Sequence, residues 1–532
     1  MYLLYIKNMI KYLKINSEGQ IFMQKRKFFN KFFAVLLAVV MLLVPSVSVY
    51  AASEGTVEKN CPLIDVVGFM SDTIYADKDD PSSEVLWPWS SDAILSMVKS
   101  CIPALSRFLF DRDYQALADA VVPAAQALFG PVCLDENGNV TDGSGVYFVY
   151  PAADSIKKDS TVDFKYDWRI DPLVAAAQLN DFINYVCEAS GSDKVSITCH
   201  SLGGIVTLSY LTIYGNDKIQ GVNFNTVAVN GETYTGELMC GKMVLSADAV
   251  TSFLRYVFDT NEYEDLLNAI FETLNAAGLT EIITNFGNEI LENLGPMAIP
   301  AIVVPMFGGW PTIWAMVPDK NIDEAMNYVF GTVYKDSEVD RSDLIRKIEN
   351  YNSIVRANKA QTLSELERDC RVCVFSRYGY CSLPITPTWN SVTDGVIDAK
   401  YSSFGATCAN YGEKLSDSYL ETADAKYISP DKTIDASTGL FADRTWFFKD
   451  FKHSQNNEML KNMVIDLLYA ENEATVDTYE QYPQFMIYDF ASDSLVPDTG
   501  TQEEASGFWG FFKKIIDFIK KIFSKIFSVY TA

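Results

Sequence analysis

The spacing of apolar residues divides the chain into short strand-like runs and longer helical ones. Lys194-Val-Ser-Ile-Thr-Cys-His places β-branched residues at Val195, Ile197 and Thr198, and Ile205, Val206 and Leu208 open an apolar helix just beyond. Cys61-Pro-Leu-Ile-Asp-Val-Val, closed by Gly68, reads as an early strand, and Arg371-Val-Cys-Val-Phe-Ser as a late one. Between 173 and 189, Leu173, Ala176, Leu179, Ile183 and Val186 share one helix face. Ala93 to Phe110 and Tyr114 to Phe129 also have helical spacing, inside an insertion near 71–145. Strands alternating with helices in this way predict an α/β protein with a mostly parallel central sheet.

From 247 to 367 the pattern becomes amphipathic helix, interrupted by an uncharged stretch from Asn293 to Pro318. Pro296, Pro300, Pro305, Pro311 and Pro318 argue against a membrane span, because each break would leave backbone groups unsatisfied in hydrocarbon. The stretch reads as part of an inserted helical cap, or lid, whose Trp310, Ile313, Trp314 and Met316 line an acyl pocket; the competing reading is a buried core segment. Core pattern resumes over 368–491, after an initial core part spanning 52–246.

Both ends read differently from the core. Residues 1–51 have the form of a signal peptide, with a basic segment from Met23 to Lys31, an apolar run from Phe32 to Val44, and Val49-Tyr-Ala51 as the cleavage site. Met23 is an alternative start. A polar linker at 492–507 leads to 508–532, where Lys513, Lys514, Lys520, Lys521 and Lys525 fall opposite Phe511, Phe512, Ile515, Phe518, Ile519, Ile522, Phe523 and Ile526. Such a basic amphipathic helix suits peripheral contact with an anionic membrane, or docking on the protein's own acidic surface.

Charge and cysteine content narrow the picture. The 532 residues carry a net charge of -26; without the first 51 residues, 36 basic stand against 68 acidic residues, giving -32. Such a surface repels nucleic acid and fits a secreted, extracellular or cell-surface protein. Ten cysteines are present, and an exported chain is able to pair some of them. Cys370, Cys373 and Cys381 lack the neighbouring histidines and the second C-x-x-C that a zinc site would need, so no metal is expected.

Candidate chemistry centres on Cys199-His200-Ser201-Leu202-Gly203. A serine at a tight strand-to-helix turn is the nucleophile elbow of α/β-hydrolases, here with Cys199 in place of the first glycine. The chain has two histidines. His200 adjoins the serine and is expected to point away beneath the sheet, which leaves His453 as the base. Asp394, in an Asp-Gly turn between them, completes the Ser, Asp, His order of such a triad, although a plain surface turn has the same form. Backbone N–H groups of Phe69 and Leu202 are the candidate oxyanion hole. This chemistry needs no cofactor.

Tyr166-Asp-Trp-Arg169, standing before the helix that leads to the elbow, resembles a strand end in the lipase and acyltransferase family that includes lecithin:cholesterol acyltransferase. Gly309-Trp-Pro-Thr-Ile-Trp-Ala-Met-Val-Pro318 looks like that family's lid region. The resemblance runs from Pro62 to about Leu211 and resumes near Asp394 and His453. It implies an α/β-hydrolase fold and a secreted serine hydrolase cleaving carboxylic, lipid-like esters through an acyl-enzyme. Acyl transfer with the same triad, and an inert hydrolase-fold surface protein, are the alternatives.

Overall fold

The computed structural model describes residues 57–244, 299–490 and 492–500, together with scattered positions between 246 and 297. The signal peptide, part of the cap and the C-terminal amphipathic helix therefore lie outside the described residues. Eight strands form the central sheet: β1 (Leu63–Val66), β2 (Thr161–Phe164), β3 (Val195–His200), β4 (Ile219–Asn225), β5 (Arg371–Tyr378), β6 (Thr445–Lys449), β7 (Phe485–Asp489) and β8 (Ser494–Pro497). Their spatial order is β8-β7-β6-β5-β4-β3-β1-β2. Every neighbouring pair is parallel except β7 with β8. The protein is thus α/β, with helices flanking a mostly parallel sheet.

Two compact units divide the chain. The smaller holds the helices α1 (Ser91–Asp111) and α2 (Tyr114–Phe129), close to the spans that the sequence predicts. The larger holds the sheet. Within it, Ile74–Tyr75 pairs antiparallel with Val85–Trp87 on one side and Gly145–Val146 on the other.

Sheet-flanking helices form where local signals place them. Helix α3 (Pro172–Ser190) begins at Asp171, whose side chain accepts from the Leu173 N–H at 2.9 Å, with proline at the first helical position. It ends at Gly191, which adopts the left-handed conformation that closes many helices. Helix α4 (Leu202–Tyr214) is buried from Leu202 to Leu211, as its apolar composition on all sides requires. On the far half of the sheet, Phe375, Trp446 and Phe448 pack with Met463, Leu467 and Leu468 in one buried cluster.

Chain direction reverses between β1 and β3. From β1 the chain moves outward to β2, then returns to place β3 on the opposite side of β1. Ligands of open α/β sheets bind outside the carboxyl ends of the strands at such a switch point. The turns that leave β1 and β3 meet there. A β-carbon on Gly203 would stand 2.1 Å from the Val66 carbonyl oxygen, and one on Gly204 would stand 2.4 Å from Val227 Cβ. Only glycine lets the start of α4 approach this closely.

Candidate active site

Each strand from β3 to β6 is followed directly by a residue with positive φ, and β1 by one four residues on: Ser201 (55°), Thr226 (46°), Gly379 (114°), Asp450 (57°) and, after β1, Met70 (59°). Four of these five carry side chains, for which the region is costly. Four of the eight non-glycine residues with positive φ among the described residues thus lie along the carboxyl edge of the sheet.

Ser201 ends β3 and starts α4 with φ 55° and ψ -122°, a sharp turn that lifts its side chain out of the strand. Its carbonyl accepts from the Ala228 N–H at 3.1 Å, so the loop after β4 braces the elbow. A β-carbon on Gly68 would lie 2.8 Å from Ser201 Cβ, which brings the loop after β1 directly onto the serine. That loop is held by three buried or half-buried groups: the Tyr166 hydroxyl donates to the Val67 carbonyl at 3.0 Å, Trp87 Nε1 to Met70 at 3.0 Å, and Trp168 Nε1 to Asp72 at 3.0 Å. Neither the Phe69 N–H nor the Leu202 N–H donates to any protein acceptor among the described residues.

Cys199 keeps a negative φ, so the glycine usual at that position is not needed. Its thiol is wholly buried and donates to the Asn223 carbonyl at 3.4 Å, and burial pushes its pKa far up. It is a packed thiol, inert at ordinary pH.

Asp394 and His453 are brought together. Asp394 is fully buried, and its Oδ2 accepts from His453 Nδ1 at 2.7 Å. Because a carboxylate only accepts, Nδ1 carries the proton and Nε2 presents its lone pair. The Asp-Gly turn does the positioning: Asp394 Oδ1 takes the Val396 and Ile397 N–H groups at 2.9 and 2.7 Å. The His453 N–H returns to the Asp394 carbonyl at 3.0 Å. Burial pushes the Asp394 pKa up, but His453, the Thr226 hydroxyl and the Ile397 N–H outweigh it and hold the carboxyl below its usual range. No hydrogen bond joins Ser201 Oγ to His453.

His200 departs from its expected place beneath the sheet. Its ring centroid lies 4.5 Å from that of His453, and its Nε2 donates to the His453 carbonyl at 3.0 Å. Burial, with the nearby His453 and Arg377, depresses its pKa well below the ordinary value and keeps the ring neutral. Arg377, at the end of β5, donates from Nη1 to the carbonyls of Lys452, His453 and Gln455 at 2.6 to 2.8 Å, and from Nη2 to Asn225 at 3.1 Å. Together these side chains fix the backbone that carries His453. The available sequence signal was a charge close to the end of a largely apolar strand. Thr226, whose hydroxyl donates to Asp394 Oδ2, gave no signal.

Trp310, Ile313, Trp314 and Met316 are all buried, in and just before helix α5 (Pro311–Met316), which packs against α3 and α4. Trp310 meets Phe69 at 5.9 Å and Trp168 at 5.5 Å between ring centroids, so it borders the loop after β1. Trp314 instead stacks on Phe330, and Arg356 ties down the carbonyls of Trp314 and Ala315. No disulfide joins any of the ten cysteines, Cys370, Cys373 and Cys381 included. Among the described residues no group of three or more His, Cys, Asp or Glu could hold a metal ion, and no helix is long and apolar enough to cross a membrane.

No protein-family model matches the chain, and no curated protein does. Among solved structures, the crystal structure of the Tle4-Tli4 complex aligns at 13% identity over 34% of this chain and 48% of that one, with a TM-score of 0.18. At that score the likeness carries no argument.

Proposed function

We propose that the chain is an exported serine esterase with an α/β-hydrolase fold, acting on carboxylic, lipid-like esters. One observation carries the reading: a serine at φ 55° and a buried Asp394–His453 pair at 2.7 Å follow three parallel strands at the same sheet edge, in the chain order of a hydrolase triad. In the proposed mechanism Ser201 Oγ attacks the ester carbonyl while His453 Nε2 takes its proton. Asp394 orients the imidazole and stabilises its charged form. The free N–H groups of Phe69 and Leu202 receive the developing oxyanion. His453 then protonates the leaving alcohol, and water releases the acyl group by the reverse sequence. Contacts between a serine and its base are often long in a resting enzyme and tighten with substrate. Acyl transfer to an alcohol would use the same atoms, and differs only in the acceptor. The aromatic group of Phe69, Trp168 and Trp310 beside the proposed oxyanion loop favours an apolar acyl portion. Membrane contact through 508–532 would bring the enzyme to such a substrate.

The test is labelling of the purified protein with a fluorophosphonate, peptide mapping, and turnover of p-nitrophenyl esters of short and long acyl chains. Labelling at Ser201, with turnover lost by about a thousandfold or more in Ser201→Ala and His453→Ala, is expected. An unlabelled Ser201, or wild-type turnover in His453→Ala, would refute the assignment. Added alcohol acceptors with product analysis separate hydrolysis from transfer.

A further inference from the structure

We propose that Thr226 is a positioning residue for the base: its hydroxyl holds the Asp394 carboxylate on its His453-facing oxygen and sets how strongly that carboxylate attracts the imidazole. This rests on the triad reading for its catalytic meaning.

Thr226 is wholly buried and has φ 46°, where a β-branched side chain is an outlier and serine, asparagine or glycine would be less strained. Its neighbours over-determine the position. The Thr226 N–H donates to the Phe375 carbonyl at 2.7 Å, tying the end of β4 to β5, and Oγ1 donates to Asp394 Oδ2. Branching restricts χ1, so the γ-methyl keeps the hydroxyl aimed at the carboxylate. Asp394 Oδ1 is occupied by two backbone N–H groups, while Oδ2 is shared between His453 Nδ1 and Thr226. Among the described residues the threonine is therefore the one side chain besides the histidine that divides the negative charge on that oxygen.

The other titratable and charged groups around the pair leave this division in place. From β3 comes His200, kept neutral by burial; from β5 comes Arg377, whose guanidinium caps carbonyls of the His453 loop. Beyond β4 stands Glu232, whose carboxyl burial pushes well above its ordinary pKa, with Thr235 donating to it. Beside Asp394 lies Asp398, whose carboxylate takes the Thr233 N–H and hydroxyl. The hydrogen bonds just described go to partners other than Asp394 Oδ2. Removing the Thr226 hydroxyl thus leaves more charge facing the imidazole, and His453 should hold its proton more tightly.

Two histidines make this measurable without turnover. In full-length protein labelled with 15N-histidine, His453 is titrated by NMR, with His200 as the internal reference. Thr226→Val keeps the branched shape and Thr226→Ala removes it, so loss of folding in one leaves the other. In each, the His453 pKa is expected to rise by about 0.5 to 1 unit, while Thr226→Ser stays at the wild-type value. The acid limb of kcat/KM should move by the same amount. Unchanged or lower His453 titration in the valine and alanine variants would overturn the proposal. Absence of Ser201-dependent turnover would instead defeat the esterase reading, and leave the titration result standing.

Discussion

Asp72→Asn should stabilise the protein at neutral pH and do little in acid. Asp72 follows the loop that presents Phe69, and its carboxyl is buried with Oδ2 unpartnered. Its nearest cation is half-exposed Lys165, at 3.4 Å from Oδ1. Burial outweighs that attraction and pushes the Asp72 pKa up from 3.8 to about 6. The folded state therefore binds this proton more tightly than the unfolded chain does. The sign follows: stability from this group is present below pH 3.8 and is lost as pH rises to about 6. A gap of about two units corresponds to about 3 kcal/mol at pH 7. The amide of asparagine removes that cost but places an N–H2 where an oxygen already lacks a partner, so the net gain is about 1 to 3 kcal/mol. Urea unfolding followed by tryptophan fluorescence, at pH 7 and at pH 4, measures it. A variant no more stable than wild type at pH 7, or one whose gain is undiminished at pH 4, would refute the reasoning.

Three further substitutions test the turn at Ser201 and the loop that carries His453. Cys199→Gly, which restores the usual elbow residue, should lower the thermal midpoint through a cost of about 1 to 3 kcal/mol, since the backbone there gains nothing from glycine and the core loses a buried thiol; a higher midpoint would mean that the side chain strains the turn. Arg377→Met strips the caps from the carbonyls of Lys452, His453 and Gln455, and should cost about 2 to 4 kcal/mol with faster hydrogen exchange across the His453 loop. His200→Gln keeps a donor for the His453 carbonyl and removes a histidine that is protonated only when unfolded. Wild-type stability should therefore fall as pH drops below about 6.5 in denaturant titrations, and the glutamine variant should fall less.

The parts legible in the sequence were those with a local signal. Apolar periodicity placed α3, and the β-branched run placed β3, because burial on one face or both leaves a period that can be read directly. The Asp-Gly dipeptide marked the Asp394 turn for the same reason: its chemistry is contained in four consecutive residues. His200 was misplaced because adjacency in sequence says little about direction once the chain turns at φ 55°; the bend that lifts Ser201 out of the strand also swings the residue before it toward the loop after β6. Arg377 and Thr226 act across strands, on partners 75 and 168 residues away, and no local pattern carries such a contact.

The residues that were read and those that were not share one physical circumstance. Five strands end at one edge, and each exit turn must place a specific group within reach of its neighbours: the Phe69 N–H, Ser201, the Thr226 hydroxyl, Asp394 and His453. Regular turns relax to comfortable dihedral angles, whereas these retain Met70, Ser201, Thr226 and Asp450 at positive φ. Strain of about 1 to 3 kcal/mol at each such site persists only where the surrounding structure over-determines it. Here the bracing is explicit: Trp87 holds Met70, Ala228 holds Ser201, Phe375 holds Thr226, and the Asp450 N–H is held by the Tyr378 carbonyl at 2.8 Å. A sheet edge serving only to end strands would have no use for four such restraints. The four restraints converge on the loops around Ser201 and His453, the loops that carry the proposed triad.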